Sequence, residues 1–127
     1  ILFCDLFAGT GSIGIEALSR GAKKVIFNDV VRSNTDKIKV FLNNVNELNY
    51  EIINMNPYKQ EIDILNKCKI IYIDPPYNHS FDIIKSKILD KIQSNILIIL
   101  ENSHMINVDN LILKKNYKSK YLFFFKT

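Results

Sequence analysis

All four glycines of this 127-residue chain, Gly9, Gly11, Gly14 and Gly21, fall within its first 21 residues. A backbone that turns tightly or admits a close neighbour calls for glycine, so that demand is concentrated at one place near the start. The preceding run, residues 1–6, is short, apolar and ends at the glycine cluster, as a buried strand does. Residues 12–19 then read as a helix stopped near Gly21. Strand, glycine loop and helix in that order present main chain and a helix amino terminus where a ligand can meet them.

The same unit recurs. Residues 24–28 form a second predicted strand, and behind a Ser33/Asp36 start signal Ile38, Phe41, Leu42, Val45 and Leu48 follow at helical spacing. Residues 50–54 read as a third strand, 57–66 as a loop with a short helix, and 69–73 as a fourth strand stopped by the prolines of Asp74-Pro75-Pro76-Tyr77. Over residues 81–93, Phe81, Ile84, Ile88, Leu89 and Ile92 share one face, which predicts an amphipathic helix. The uninterrupted apolar run 96–100 predicts a strand buried on both faces. Residues 111–115 and 120–126 complete the chain as two strands joined by a turn at 117–119.

Alternating strands and helices imply an α/β fold with a parallel sheet covered on both faces, whose ligands bind beyond the carboxyl ends of the strands. The 5–14 loop, Asp29, residues 54–56 and residues 74–77 all follow predicted strands, so they are expected along one rim. No repeat, linker or composition break divides the chain, and residues 1–127 are expected to form one domain.

No apolar run approaches the roughly 18 to 20 residues that cross a bilayer, and no basic start precedes an apolar stretch. A cytoplasmic chain without a membrane partner is therefore expected. Cys4 and Cys68 form no CxxC pair and lack the clustered partners of a zinc site, so they are expected as reduced, half-buried thiols with no metal. Seventeen basic residues against 13 acidic ones leave +4, which suits a polyanionic partner without requiring one. Lys114, Lys115, Lys118, Lys120 and Lys126 lie in a final segment with no acidic residue. That segment fits either a lysine-protected strand edge or a contact with RNA.

Gly9-Thr10-Gly11-Ser12-Ile13-Gly14 satisfies GxGxxG, with Asp29 twenty residues after Gly9. NAD and S-adenosyl-L-methionine both use such a loop, and a carboxylate at Asp29 accepts from ribose hydroxyls in either case. Asp5 favours the second cofactor, since a carboxylate there can order the loop and meet a cationic amino-acid end. Asp74-Pro75-Pro76-Tyr77 decides the chemistry. An exocyclic base amine is a poor nucleophile because its lone pair is delocalised into the ring. A site that accepts both N–H hydrogens, at the Asp74 carboxylate and the Pro75 carbonyl, localises that pair and aims it. Pro75 and Pro76 fix the direction of the carbonyl, and Tyr77 offers a face on which a base can stack. His79 and His104 read as surface residues, because the amine loses its proton only after the new bond forms. Tyr72 and Phe123 to Phe125 read as strand core.

The stretch Asp5-Leu6-Phe7-Ala8-Gly9-Thr10-Gly11-Ser12-Ile13-Gly14, continued to Ala22 and joined with Asp74-Pro75-Pro76-Tyr77, resembles the RsmD family. That family methylates guanine N2 of small-subunit ribosomal RNA with S-adenosyl-L-methionine. The resemblance runs on through Glu101 to the last two strands. It implies a Rossmann-like seven-stranded methyltransferase fold, mostly parallel with a carboxyl-terminal antiparallel hairpin. It also implies a cofactor site at Asp5, Phe7, Ala8, Gly9, Thr10, Gly11, Asp29 and Asn56, a catalytic set of Asp74, Pro75, Pro76 and Tyr77, and ribosomal RNA or a small-subunit assembly particle as partner. Asn56 stands where the family has an acidic contact to adenine, Pro57 follows with no N–H to donate, and Lys118 stands where the family often has glycine. The family's basic amino-terminal segment has no counterpart before Ile1, so a further segment of the same protein is expected upstream. An adenine-N6 DNA methyltransferase, a degenerate nucleic-acid-binding fragment and, more distantly, an NAD oxidoreductase remain as alternatives.

Overall fold

The computed structural model describes residues 1–76, 80–93 and 95–127. Its centre is a seven-stranded sheet in the order β3-β2-β1-β4-β5-β7-β6. The strands are β1 (Leu2–Asp5), β2 (Lys24–Asn28), β3 (Tyr50–Ile53), β4 (Ile70–Ile73), β5 (Leu97–Asn102), β6 (Leu111–Tyr117) and β7 (Lys120–Lys126). The first five pair in parallel; β7 runs antiparallel to β5, and β6 antiparallel to β7. The expected mostly parallel sheet with a terminal hairpin is thus present. Its order reverses between β1 and β4, which opens a crevice beyond the carboxyl ends of those two strands.

Period-two alternation sorts the core into two faces. Phe3, Val25, Phe27 and Tyr72 point to one side, where they meet Ile38 and Leu42 of α2 (Arg32–Asn44) and partly buried Ile15 and Leu18 of α1 (Ser12–Ser19). Cys4, Ile26, Ile71, Ile73, Ile98, Leu100 and Phe123 point to the other, under Ile84 of α3 (Phe81–Lys87) and neighbouring Ile88 and Leu89. The structure corrects the thiols here. Cys4 and Cys68 are free, as expected, but fully buried rather than half-buried, because Cys4 lies on a central strand flanked by β2 and β4.

Several boundaries differ for local reasons. α2 begins at Arg32 with Val31 at its cap and no side-chain cap bond, so the Ser33/Asp36 signal does not start it. Asp29 does the ordering instead, its Oδ1 accepting from Val31 N at 2.9 Å. Only Thr35, Ile38 and Leu42 of that helix are buried, while Phe41, Val45 and Leu48 are exposed. The predicted 81–93 helix is two pieces, since Ile88 (φ −121°, ψ −63°) leaves the helix before a single 3-10 turn at Leu89–Lys91; the break lets the consecutive Ile88 and Leu89 both enter the core. β5 is fully buried on one face only. Ile98 and Leu100 are inaccessible, whereas Leu97 and Ile99 are half-buried because α1 and α2 sit over β1, β2 and β3. The hairpin turn is tighter than expected, with Tyr117 opposite Lys120 and Lys118 at φ 55°, the left-handed geometry that favours glycine.

Candidate active site

Beyond the carboxyl ends of β1, β2 and β4 lies a cleft of about 690 Å³. Its walls bring together Asp5, Phe7, Ala8, Gly9, Thr10, Asp29, Asn56, Asp74 and Pro76, so most residues singled out in the sequence meet at one place. Gly11 sits behind the loop rather than in the wall. It caps α1 at φ 81°, and a Cβ there would come within 2.8 Å of Ile38 Cγ1. Gly14 is required by packing, since a Cβ at this helical position would lie 2.3 Å from Cε1 of buried Phe27. Pro75 stands half-buried between Asp74 and Pro76. Tyr77 and His79 lie outside the described residues; His104 is exposed.

Carboxylates hold the glycine loop at both ends. Asp5, 1% exposed, accepts from Gly14 N through Oδ2 at 3.2 Å. Asp29 accepts from Gly9 N through Oδ2 at 2.8 Å and from Val31 N through Oδ1. Burial pushes the Asp5 carboxyl up from its ordinary 3.8 to about 7, against the pull of the Gly14 N–H and with the charges of Asp74 and Asp29 adding to the rise.

Asn28 is a brace of the cleft loops that sequence reasoning missed. Buried at the end of β2, it donates from Nδ2 to the carbonyls of Leu6 and Met55, and its Oδ1 accepts from Met55 N, each at 3.0 Å. One amide thereby ties the loops after β1 and β3. Asn54 adds bonds to Asp29 O and Thr35 Oγ1. Asn56 Oδ1 accepts from Tyr58 N at 3.0 Å, which turns the loop so that Tyr58 reaches Phe7, their ring centroids 5.7 Å apart. The only sequence signal for the brace was an asparagine ending an otherwise apolar strand.

A second cluster joins the cleft wall at Tyr72 and Asp74 and extends behind it. Tyr72, expected only as core, donates its hydroxyl to Glu101 Oε2. Lys120 Nζ lies 3.2 Å from Glu101 Oε1, and Asp74 and Glu101 stand side by side, each one residue beyond the Ile73–Leu100 pair of β4 and β5. Burial and then Glu101 hold Asp74 at about 6, with Lys120 opposing. Burial also works against the Glu101 charge, but bonds from Tyr72, Asp74 and Lys120 together keep this carboxyl below its ordinary value.

The family model described as conserved hypothetical protein 95 matches residues 2–123. The chain belongs to this family. It is the RsmD family that the Asp5-to-Ala22 stretch resembles, and matching proteins bear the name ribosomal RNA small subunit methyltransferase D. The one from Haemophilus influenzae is 33% identical over 82 residues, and one from Buchnera aphidicola is 28% identical over 124. The chain spans 40% of the length of the first and 63% of the second. Among solved structures, a candidate methylase from Haemophilus influenzae superimposes with a TM-score of 0.73 at 25% identity, over 98% of this chain and 84% of that one. An RNA methyltransferase from Salinibacter ruber, solved with S-adenosyl-L-homocysteine, gives 0.74 at 12% identity over 98% and 79%. The fold is that of the seven-stranded methyltransferases. No helix among the described residues is long and apolar enough to cross a membrane.

Proposed function

We propose that this RsmD-family chain binds S-adenosyl-L-methionine in the cleft and methylates an exocyclic base amine, guanine N2 of small-subunit ribosomal RNA. The observation that carries this reading is the charge of the cleft. Asp5, Asp29 and Asp74 line it together, and no lysine or arginine stands among its described wall residues. Such walls attract a ligand bearing an ammonium and a sulfonium, and they repel the pyrophosphate of a dinucleotide. This favours the methyl donor over NAD, which the glycine loop alone does not distinguish. The apolar part of the wall, with Phe7, Ile13, Val30, Val31, Pro57 and Tyr58, suits an adenine.

When bound, the cofactor supplies an electrophilic methyl group on a positively charged sulfur. Asp5 would face the cationic amino-acid end, Asp29 would accept from the ribose and Asn56 would meet the adenine. Asp74 would accept one N–H of the base amine and the Pro75 carbonyl the other, so that the nitrogen lone pair turns toward the cleft; Tyr77 would stack on the base. The lysines of β6 and the turn, Lys114, Lys115 and Lys118, are all exposed and offer a basic surface for the RNA backbone.

The test is methyl transfer from labelled cofactor to small-subunit ribosomal RNA, with calorimetry of cofactor binding alongside. Asp74→Ala should abolish transfer with cofactor affinity within a few-fold of the parent, because its role is at the amine. Full transfer by Asp74→Ala would remove Asp74 from the mechanism.

A further inference from the structure

Glu101 has no role in the reading above, yet its carboxylate is held by both the Tyr72 hydroxyl and Lys120 Nζ. Its side chain is 13% exposed, on β5 beside the end of β4, and three groups converge on it: the Tyr72 hydroxyl from β4, the Asp74 carboxyl just after β4, and Lys120 Nζ from β7 at 3.2 Å. The β4–β5 register sets Ile73 opposite Leu100, so Asp74 and Glu101 are the next neighbours across the two strands, and neighbouring carboxyls titrate as a pair. The charged or titratable groups acting on this pair are Asp5 on β1, Tyr72 on β4 and Lys120 on β7, and Lys120 is the cation among them.

We propose that Asp74 and Glu101 act as one proton-accepting pair, in which Lys120 is a positioning residue that keeps Glu101 ionised and turned toward Asp74. This rests on the reading that Asp74 holds the base amine. In the transfer, the amine lone pair forms the N–C bond while the electrons of the S–C bond stay on sulfur. The methylated nitrogen is left cationic. Its N–H bond then breaks, the electrons return to nitrogen, and the proton passes to an Asp74 oxygen and is shared with Glu101 before it leaves to water.

The electrostatics agree with that task. Asp74 lies at about 6, raised first by burial and next by Glu101, while Glu101 stays below its ordinary value. Near neutral pH the pair is therefore mostly ionised and ready to accept, without being so acidic that it refuses the proton. A purely structural role, in which Glu101 and Lys120 only tie β4, β5 and β7 together, would affect stability and leave the titration of Asp74 where it is.

The experiment follows the Asp74 and Glu101 carboxyl carbons by carbon-13 NMR across pH in the whole chain, for the parent, Lys120→Met and Lys120→Arg. The same three proteins are assayed for methyl transfer to ribosomal RNA across pH. In Lys120→Met the Asp74 titration should rise above its value of about 6, since its opposing cation is gone. The acid limb of kcat should move with it, and Lys120→Arg should restore both. Any loss of RNA contact enters KM and is read separately. An Asp74 titration unmoved in Lys120→Met overturns the proposal, as does a kcat profile that stays in place while the titration moves. Should Lys120→Met not fold, Glu101→Gln gives the same reading, because without its charged neighbour the Asp74 titration should fall toward 3.8; an unchanged value overturns the pair. The carboxyl titration needs no cofactor, so it stands apart from the Asp74→Ala transfer assay that tests the methyltransferase reading.

Discussion

Replacing Asp5 by Asn separates what this carboxyl costs the fold from what it gives the site. The substitution keeps the side-chain shape and an oxygen to accept from Gly14 N, and it removes the charge. In the folded chain the carboxyl titrates at about 7, against 3.8 ordinarily, so the folded state binds this proton more tightly than the unfolded state does. Below 3.8 both states are protonated and no penalty arises; as pH rises from there to about 7, the unfolded state ionises first and stability is progressively lost. At roughly 1.4 kcal/mol per tenfold change, the full interval sets an upper limit of about 4 kcal/mol, and water entering the cleft that Asp5 lines reduces the expected penalty to about 2 kcal/mol. Asp5→Asn should therefore be about 2 kcal/mol more stable than the parent at pH 8 and indistinguishable from it near pH 4, read from urea unfolding curves at the two pH values. Cofactor binding should show the reverse. The parent should tighten its grip as pH rises through about 7, and the variant should bind more weakly with little dependence on pH over that range. A variant that is no more stable than the parent at pH 8 refutes the claim that this carboxyl is held at a cost.

Three further outcomes follow from the geometry. Asn28→Ala should destabilise the chain by about 2 to 4 kcal/mol in urea unfolding and weaken cofactor binding with it, because the Leu6 and Met55 carbonyls and Met55 N lose their partner together. Asn56→Asp combined with Pro57→Ala should tighten cofactor binding by about tenfold in calorimetry, since Asp keeps an oxygen for Tyr58 N and adds a charged acceptor, while Ala returns an N–H; flat affinity would place the adenine elsewhere. Exchanging Lys114, Lys115 and Lys118 for Gln should lower the salt slope of RNA binding by about 2, read by filter binding at several salt concentrations, and an unchanged slope would take the hairpin out of the RNA contact.

The parts of this fold that were legible in the sequence are those where local physics and tertiary context agree. α1 and β2 lie at the predicted residues because the glycines and the apolar run that bound them leave the chain few choices. β5 was placed from its apolar run, but its half-covered face depends on where α1 and α2 settle, and no window of sequence records that. The 81–93 segment has an unbroken helical face and still breaks at Ile88, because burying two consecutive side chains outweighs the last turns of a short helix. The start of α2 was misread for a related reason: Ser33 and Asp36 match a capping pattern, yet Asp29, already committed to Gly9, reaches Val31 first.

The site divides along the same line. Asp5, Asp29 and Asp74 were visible because each stands at or just after the carboxyl end of a predicted strand, and parallel topology gathers such positions on one rim. Asn28 was not singled out, and Tyr72, Glu101 and Lys120 were read only as strand core, a family match and part of a basic segment, since their joint role lies in contacts spanning 29 residues between Tyr72 and Glu101 and across the antiparallel β5–β7 pairing for Lys120. That pairing sets Asn102 opposite Tyr121 and Glu101 opposite Leu122, which brings the first residue of β7 within reach of the end of β5. The hairpin therefore does more than close the sheet. A tight turn at Lys118 and Ser119 fixes the register of β7, and a slip of one residue would carry Lys120 to the opposite face of the sheet, away from Glu101. If Lys120 holds Glu101 as proposed, changes at the Lys118–Ser119 turn should shift the Asp74 titration even though the turn lies far from Asp74 in sequence.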